Sequence, residues 1–128
     1  MRVLLDTHTF LWWVTNDSRL SKSVIKVIED PEVEVLLSVV TPWEMVIKVG
    51  IGKLQLTDTP EVLVREQRSR HHFQILPIKL EHVLKVGALP DHHKDPFDRL
   101  LIAQSLEENV PLVTDDPLIQ RYVLNILW

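Results

Sequence analysis

The sequence contains no cysteine among its 128 residues. This absence excludes disulfide bonds, zinc sites built from thiolates, and catalysis by a cysteine nucleophile. Glycine is also scarce, with three residues at Gly50, Gly52 and Gly87. These glycines form neither a GxGxxG nor a phosphate-loop pattern, so nucleotide binding through a glycine-rich loop is excluded.

Long apolar runs are missing as well. Near the N terminus the apolar residues are interrupted at Asp6 and His8, and no small-residue cleavage pattern follows. The segment therefore predicts neither a signal peptide nor a membrane span. Together with the absence of cysteine, this favours a soluble protein of the cytoplasm with no membrane partner.

A broad excess of positive charge is absent too. Lysine and arginine number 14 against 18 aspartates and glutamates, for a net charge of −4. This balance argues against a wide basic face that holds nucleic acid through many phosphate contacts. Any chemistry on phosphates must therefore be organised locally.

The chain has enough apolar residues for one substantial core. Hydrophobic residues make up 45% of the sequence, and 128 residues is a usual size for one domain. Since there is no internal repeat, linker or low-complexity segment, we expect a single domain over residues 1–128.

Apolar strands alternate with helical patterns along the chain. Strands are predicted at residues 2–6, 33–40, 73–78, 111–116 and 122–128. Helices are predicted between them, and the alternation implies right-handed crossovers between parallel strands. The predicted fold is an α/β/α sandwich whose central parallel sheet has about five strands.

Several predicted helices carry a clear start signal. Ser21, Thr59 and Asp95 are expected N-caps, with proline directly after the last two. Thr41 is an expected N-cap as well, because Glu44 three residues later would complete a capping box.

Acidic residues follow the predicted strands. Asp6 ends the first strand, Glu44 and Asp98 lie in the first turns of two helices, and Asp115 and Asp116 end the strand PLVT. The carboxyl ends of parallel strands meet at one edge of a sheet. We therefore expect these acids to converge, although each alone is explained equally well by helix capping or a turn.

Such a cluster requires neutralisation. Two carboxylates about 6 Å apart repel by roughly 3 kcal/mol at an effective dielectric near 20. Either some carboxyl groups share protons or a cation lies among them, and oxygen ligands favour a hard ion such as Mg²⁺ or Mn²⁺. This arrangement is typical of phosphodiester hydrolysis by metal-activated water.

Four segments resemble a known family. LLDTHTFLWW, SVVTPWEMVIKVGIGKL, DPFDRLLIAQ and LVTDDP, in this order, are similar to the signature blocks of PIN-domain ribonucleases, in particular the VapC-type toxins of toxin–antitoxin pairs. The similarity covers nearly the whole chain. It places the family's four acids at Asp6, Glu44, Asp98 and Asp116, with Asp115 as an adjacent acid that blurs the last assignment.

The resemblance carries expectations for activity and partners. It implies a PIN-like nuclease domain, an Mg²⁺- or Mn²⁺-dependent endoribonuclease that cleaves RNA, a homodimer, and inhibition by a cognate antitoxin. By the same comparison Asp6 and Asp98 are the expected metal ligands. Glu44 and Asp116 would orient water or a second ion.

Two other functions compete with this one. A phosphatase of the haloacid dehalogenase type would use Asp6 as nucleophile, but its acidic proton donor two residues later is replaced here by His8. The other alternative is a PIN-like binding module that has lost catalysis. His92 and His93 suggest a transition-metal site, but an exposed loop before Asp95 is the simpler interpretation.

Overall fold

The computed structural model describes residues 1–122 and 125–128. Its strands are β1 (Arg2–Leu5), β2 (Glu34–Ser38), β3 (Gln74–Leu76), β4 (Leu112–Val113) and β5 (Ile126–Leu127). Its α-helices are α1 (Thr7–Val14), α2 (Lys22–Glu29), α3 (Val40–Gly50), α4 (Pro60–Arg70), α5 (Leu80–Val86) and α6 (Pro96–Glu108). A 3₁₀ turn covers Ile119–Arg121.

The five strands form one parallel sheet in the order β3-β2-β1-β4-β5. Leu4 in the central strand lies opposite Leu36 on one side and Leu112 on the other. The predicted parallel α/β sandwich is therefore confirmed. Every described strand ends at the same edge, which is where a parallel sheet gathers the residues that follow its strands.

Two apolar cores cover the two faces of the sheet, because successive strand residues point to opposite sides. Leu4 and Leu36 belong to one core, which they share with Leu101 and neighbouring residues of α6. Val3 and Leu5 belong to the other, which includes Phe10 of α1. Strands buried on both faces explain the nearly continuous apolar runs in the sequence.

Three predicted helix starts are confirmed. Ser21 accepts from the N–H of Val24, Thr59 from that of Val62, and Asp95 from those of Phe97 and Asp98. Pro60 and Pro96 occupy the first positions of α4 and α6, where proline loses no helical hydrogen bond.

The predicted start of α3 is wrong. The helix begins at Val40, so Thr41 lies inside the first turn and does not cap it. Instead the buried Thr41 hydroxyl lies 3.2 Å from the Thr7 hydroxyl. The Val40 N–H is bound by the Ser38 hydroxyl at 3.0 Å, so the chain turns into the helix two residues earlier than predicted.

Several strands are shorter than predicted. The second strand stops at Ser38, and the first helix begins at Thr7 directly after Asp6. Of the predicted last strand, Ile126–Leu127 is observed, and Val123 and Leu124 lie outside the described residues. In the described part of the chain, no helix combines the length and the apolar character needed to cross a membrane.

Candidate active site

Asp6 connects the central strand to α1. Its side chain accepts the N–H of Thr9 at 2.8 Å and so caps the helix. The Thr9 hydroxyl in turn donates to the carbonyl of Val113 at 2.9 Å, which fixes this helix start to β4. Burial raises the pKa of Asp6 above its usual value, and hydrogen bonds with Thr114 and Thr9 oppose that rise.

Glu44 enters the site from α3 and is 3% exposed. Its Oε2 forms an ion pair with Lys48, one turn later on the helix. Burial lowers the pKa of Lys48, but the bond to Glu44 and the charges of nearby acids raise it more, so the net shift is upward. Among the described residues, Glu44 Oε1 is buried without a hydrogen-bond partner.

Asp98 lies in the first turn of α6, where the other acids act on it together. Its pKa is raised to about 8, first by burial and then by the charges of Asp95, Glu44, Asp6 and Asp116. The charges of three of the predicted acids, Asp6, Glu44 and Asp116, therefore act on the fourth, Asp98.

Asp116, and not its neighbour, faces the cluster. Its Oδ2 lies 3.0 Å from His93 Nε2, while its Oδ1 accepts the N–H of Leu118 at 2.8 Å. Asp115 is exposed, and its charge acts on Arg19 instead. The two adjacent acids therefore differ in their surroundings: Asp116 contacts His93, and Asp115 is exposed to solvent.

His93 was wrongly predicted to lie in an exposed loop. It is 8% exposed, and its Nε2 lies 3.2 Å from Asp98 Oδ2 as well as 3.0 Å from Asp116 Oδ2. Within the described ranges, these three side chains each place one potential ligand atom within 4.8 Å of the others. The neighbouring His92 is exposed, as predicted.

The sequence held a signal for the contact of His93 with the start of α6, but not for its burial. It stands two residues before the Asp95 cap, and its Nδ1 accepts the N–H of Asp95 at 3.1 Å. A histidine at this spacing can bind the backbone of a helix start and direct its other nitrogen along the first turn of that helix.

An open cleft adjoins the acids on the side of Glu44. It has a volume of about 490 Å³ and is bordered by α1, α3 and the loop after α3. The rings of His8 and Trp12, 5.9 Å apart, lie along one wall. Lys48 and Lys53 supply positive charge, so the cleft combines aromatic surface with cations beside a cluster of carboxylates.

These residues suit a hard divalent cation. The donor atoms from Asp6, Glu44, Asp98 and Asp116 are all carboxylate oxygens, which Mg²⁺ and Mn²⁺ prefer. The buried Glu44 Oε1 without a partner is the strongest structural sign of such a ligand, because an unsatisfied buried carboxylate oxygen is costly. A cation would also relieve the repulsion that raises the pKa of Asp98.

Comparison with known proteins agrees with this geometry. The PIN domain family matches residues 3–123. The chain is also 30% identical over 115 residues to Ribonuclease VapC22 of Mycobacterium tuberculosis, covering 89% of this chain and 86% of that protein. The chain therefore belongs to the PIN domain family.

Solved structures share the fold. VapBC2 from Rickettsia felis, bound to a DNA fragment from its promoter, superposes with a TM-score of 0.74 at 16% identity, covering 100% of this chain and 99% of that one. DNA-bound VapBC from Salmonella typhimurium gives 0.68 at 14% identity, covering 99% and 97%. At these identities the likeness establishes the fold of the chain.

Proposed function

We propose that the chain is a metal-dependent endoribonuclease that hydrolyses RNA with activated water and acts as the toxin of a toxin–antitoxin pair. Membership of the PIN domain family and the similarity to a ribonuclease of the VapC type support this function. The structural observation that carries it is the buried Glu44 Oε1, which has no hydrogen-bond partner among the described residues. The nuclease domain would extend over residues 1–128.

Asp6 and Asp98 are the proposed ligands of the ion, Mg²⁺ or alternatively Mn²⁺. When bound, such an ion lowers the pKa of a water molecule and polarises a phosphate oxygen. Glu44 and Asp116 would orient the attacking water or hold a second ion. The Asp6 side chain is held by Thr9, so it presents its carboxylate without reorganisation.

The cleft beside Glu44 is the proposed path of the RNA. A single-stranded nucleic acid is bound by stacking of bases on aromatic rings and by cations along the backbone. Trp12 and His8 supply the rings, and Lys48 and Lys53 the charge. This local set of cations is compatible with the net negative charge of the chain.

The two competing functions have less support. A phosphatase with Asp6 as nucleophile would need an acidic proton donor two residues later, where this chain has His8. A binding module without catalysis would have no need for all four acids. Family membership favours the nuclease over the phosphatase.

A cognate antitoxin is the proposed protein partner, and it would insert a basic side chain among the carboxylates. The structures of DNA-bound VapBC from Rickettsia felis and Salmonella typhimurium, which share this fold, support such a partner. We further propose a homodimer, formed through the exposed apolar sides of α3 and α5. These sides include Trp43 and Val46 on α3, and Leu80 and Leu84 on α5.

We place the protein in the cytoplasm, where RNA and an antitoxin would both be available.

The direct test is cleavage of structured RNAs by the purified protein. We expect cleavage with Mg²⁺ or Mn²⁺, none after chelation, and recovery when the ion is restored. Full activity in chelator would reject the metal mechanism. Release of phosphate from small phosphomonoesters without RNA cleavage would favour the phosphatase.

A further inference from the structure

His93 contacts two of the proposed catalytic acids, although the metal mechanism gives it no role. We propose that His93 is a positioning residue, which holds Asp98 and Asp116 together by donating a hydrogen bond and does not coordinate the ion. The inference rests on the proposed metal-dependent function and assigns a residue to its site. The central observation is that Nε2 lies 3.2 Å from Asp98 Oδ2 and 3.0 Å from Asp116 Oδ2.

The hydrogen bond at the other ring nitrogen determines the tautomer. His93 Nδ1 accepts the backbone N–H of Asp95 at 3.1 Å, so its lone pair is already used. The proton of the neutral imidazole must then be on Nε2, which makes Nε2 a donor toward both carboxylates. A nitrogen that binds a metal ion needs a lone pair. The distances alone group His93 with the acids as ligands, but the tautomer excludes it from that group.

The Asp95 contact is also part of the helix start. Asp95 Oδ1 accepts the N–H groups of Phe97 and Asp98 at 2.8 and 3.1 Å. The residue that caps α6 therefore also sets the proton of the His93 ring. Moving the ring proton to Nδ1, which would give Nε2 a lone pair for the ion, would set an N–H against the Asp95 N–H and lose this bond.

The backbone around His93 is held as firmly as its ring. Arg99 donates from Nη1 to the carbonyls of Pro90 and His93, both at 3.1 Å, and from Nη2 to that of Val86 at 3.1 Å. The Tyr122 hydroxyl accepts the His93 N–H at 2.9 Å and donates to Pro90 at 2.9 Å. With its main chain bound on both sides, the imidazole stays between the two carboxylates.

The consequence is a site that is arranged before the ion arrives. Asp98 and Asp116 are held close together by the N–H donor that they share, so binding an ion requires little rearrangement. Partners that orient metal ligands in this way typically change metal affinity by about 10- to 100-fold when they are removed.

The first test measures Mn²⁺ affinity by calorimetry without RNA. We expect His93→Ala to weaken binding by about 10- to 100-fold. His93→Gln should recover most of that loss, because its side-chain amide can donate at a similar reach. The matched control is His92→Ala, which removes the exposed neighbouring ring and should bind Mn²⁺ like the wild type.

The second test is spectroscopic and uses the wild-type protein, so it does not depend on a variant folding. Nitrogen-15 NMR should show His93 protonated at Nε2 both without metal and with Mg²⁺. Pulsed electron paramagnetic resonance of the Mn²⁺ form should show no directly bound imidazole nitrogen. A bound nitrogen, or a proton on Nδ1, would overturn the inference, as would a folded His93→Ala protein with unchanged Mn²⁺ affinity.

RNA cleavage is measured separately, so the two failures can be told apart. Mn²⁺ binding that depends on His93, in a protein that does not cut RNA, would contradict the proposed function and support the role of His93. Metal-dependent RNA cleavage together with a directly bound His93 nitrogen would support the function and overturn the positioning role.

Discussion

Asp98 makes the electrostatics of the site measurable. Its pKa of about 8 lies above the ordinary value of 3.8, so between these values the folded protein binds more protons than the unfolded chain. Stability then falls as the pH rises from about 4 to about 8 in the absence of metal. We expect Asp98→Asn to reduce this pH dependence, as measured by melting curves in chelator across that range.

The same variant tests the role of Asp98. If the residue only favours the start of α6, its replacement should cost roughly 0.3–1 kcal/mol and preserve activity. As a metal ligand, its loss should leave the metal-free protein at least as stable, reduce the stabilisation by Mg²⁺, and lower RNA cleavage by orders of magnitude. A less stable variant that still cleaves RNA normally would return Asp98 to a capping role.

Asp115 and Asp116 offer a matched pair. Asp116 contacts His93 at 3.0 Å, whereas Asp115 is exposed. We expect Asp116→Asn to reduce RNA cleavage strongly and to weaken Mn²⁺ binding, because it removes a charge from the cluster. Asp115→Asn changes the net charge equally and should behave like the wild type. Equal losses in a cleavage assay would show that the two acids act together.

At the scale of elements, the start of α3 positions Glu44. The Ser38 hydroxyl accepts the Val40 N–H and donates to the buried Gln104 side chain. We expect Ser38→Ala to lower the free energy of unfolding by about 1–3 kcal/mol, because both partners lose a bond in a buried site. Chemical denaturation provides the measurement.

The control for that change is Ser69→Ala. Ser69 is exposed near the end of α4, where its hydroxyl donates to the carbonyl of Glu66. Its loss should change the free energy of unfolding by less than about 0.5 kcal/mol. Similar effects at both positions would contradict the role of Ser38 in binding the Val40 N–H at the start of α3.

For the whole molecule, most of the fold could be predicted from local signals in the sequence. Ser21 and Asp95 mark helix starts through contacts within three residues. The buried strands can be recognised in the sequence as apolar runs. Thr41 was misassigned because its hydroxyl contacts Thr7, 34 residues away. No local pattern encodes that contact.

The candidate site also has some features that could be predicted from the sequence and others that could not. The places of Asp6 and Asp98 in the fold were predictable, because strand order alone brings the residues after parallel strands to one edge. The burial of His93 was not, because it depends on Arg99 and on Tyr122, which is 29 residues away. Side-chain bonds between distant segments, rather than the order of elements, decide which histidine joins the acids.

The proposed homodimer depends on apolar surface that the fold leaves exposed. Leu80, Val83 and Leu84 are 69%, 52% and 66% exposed on one side of α5. Contiguous apolar surface of this kind usually marks an interface.

We expect Leu84→Glu to shift the protein from dimer to monomer at micromolar concentration, because a buried carboxylate without a partner opposes association. Ser23→Glu adds the same charge at an exposed position of α2 and should leave the dimer intact.

Light scattering measures the oligomeric state, and calorimetry measures Mn²⁺ binding. A monomer with normal Mn²⁺ affinity would show that the site is complete in one chain. A wild-type monomer at that concentration would refute the dimer, and a dimeric Leu84→Glu protein would place the interface elsewhere.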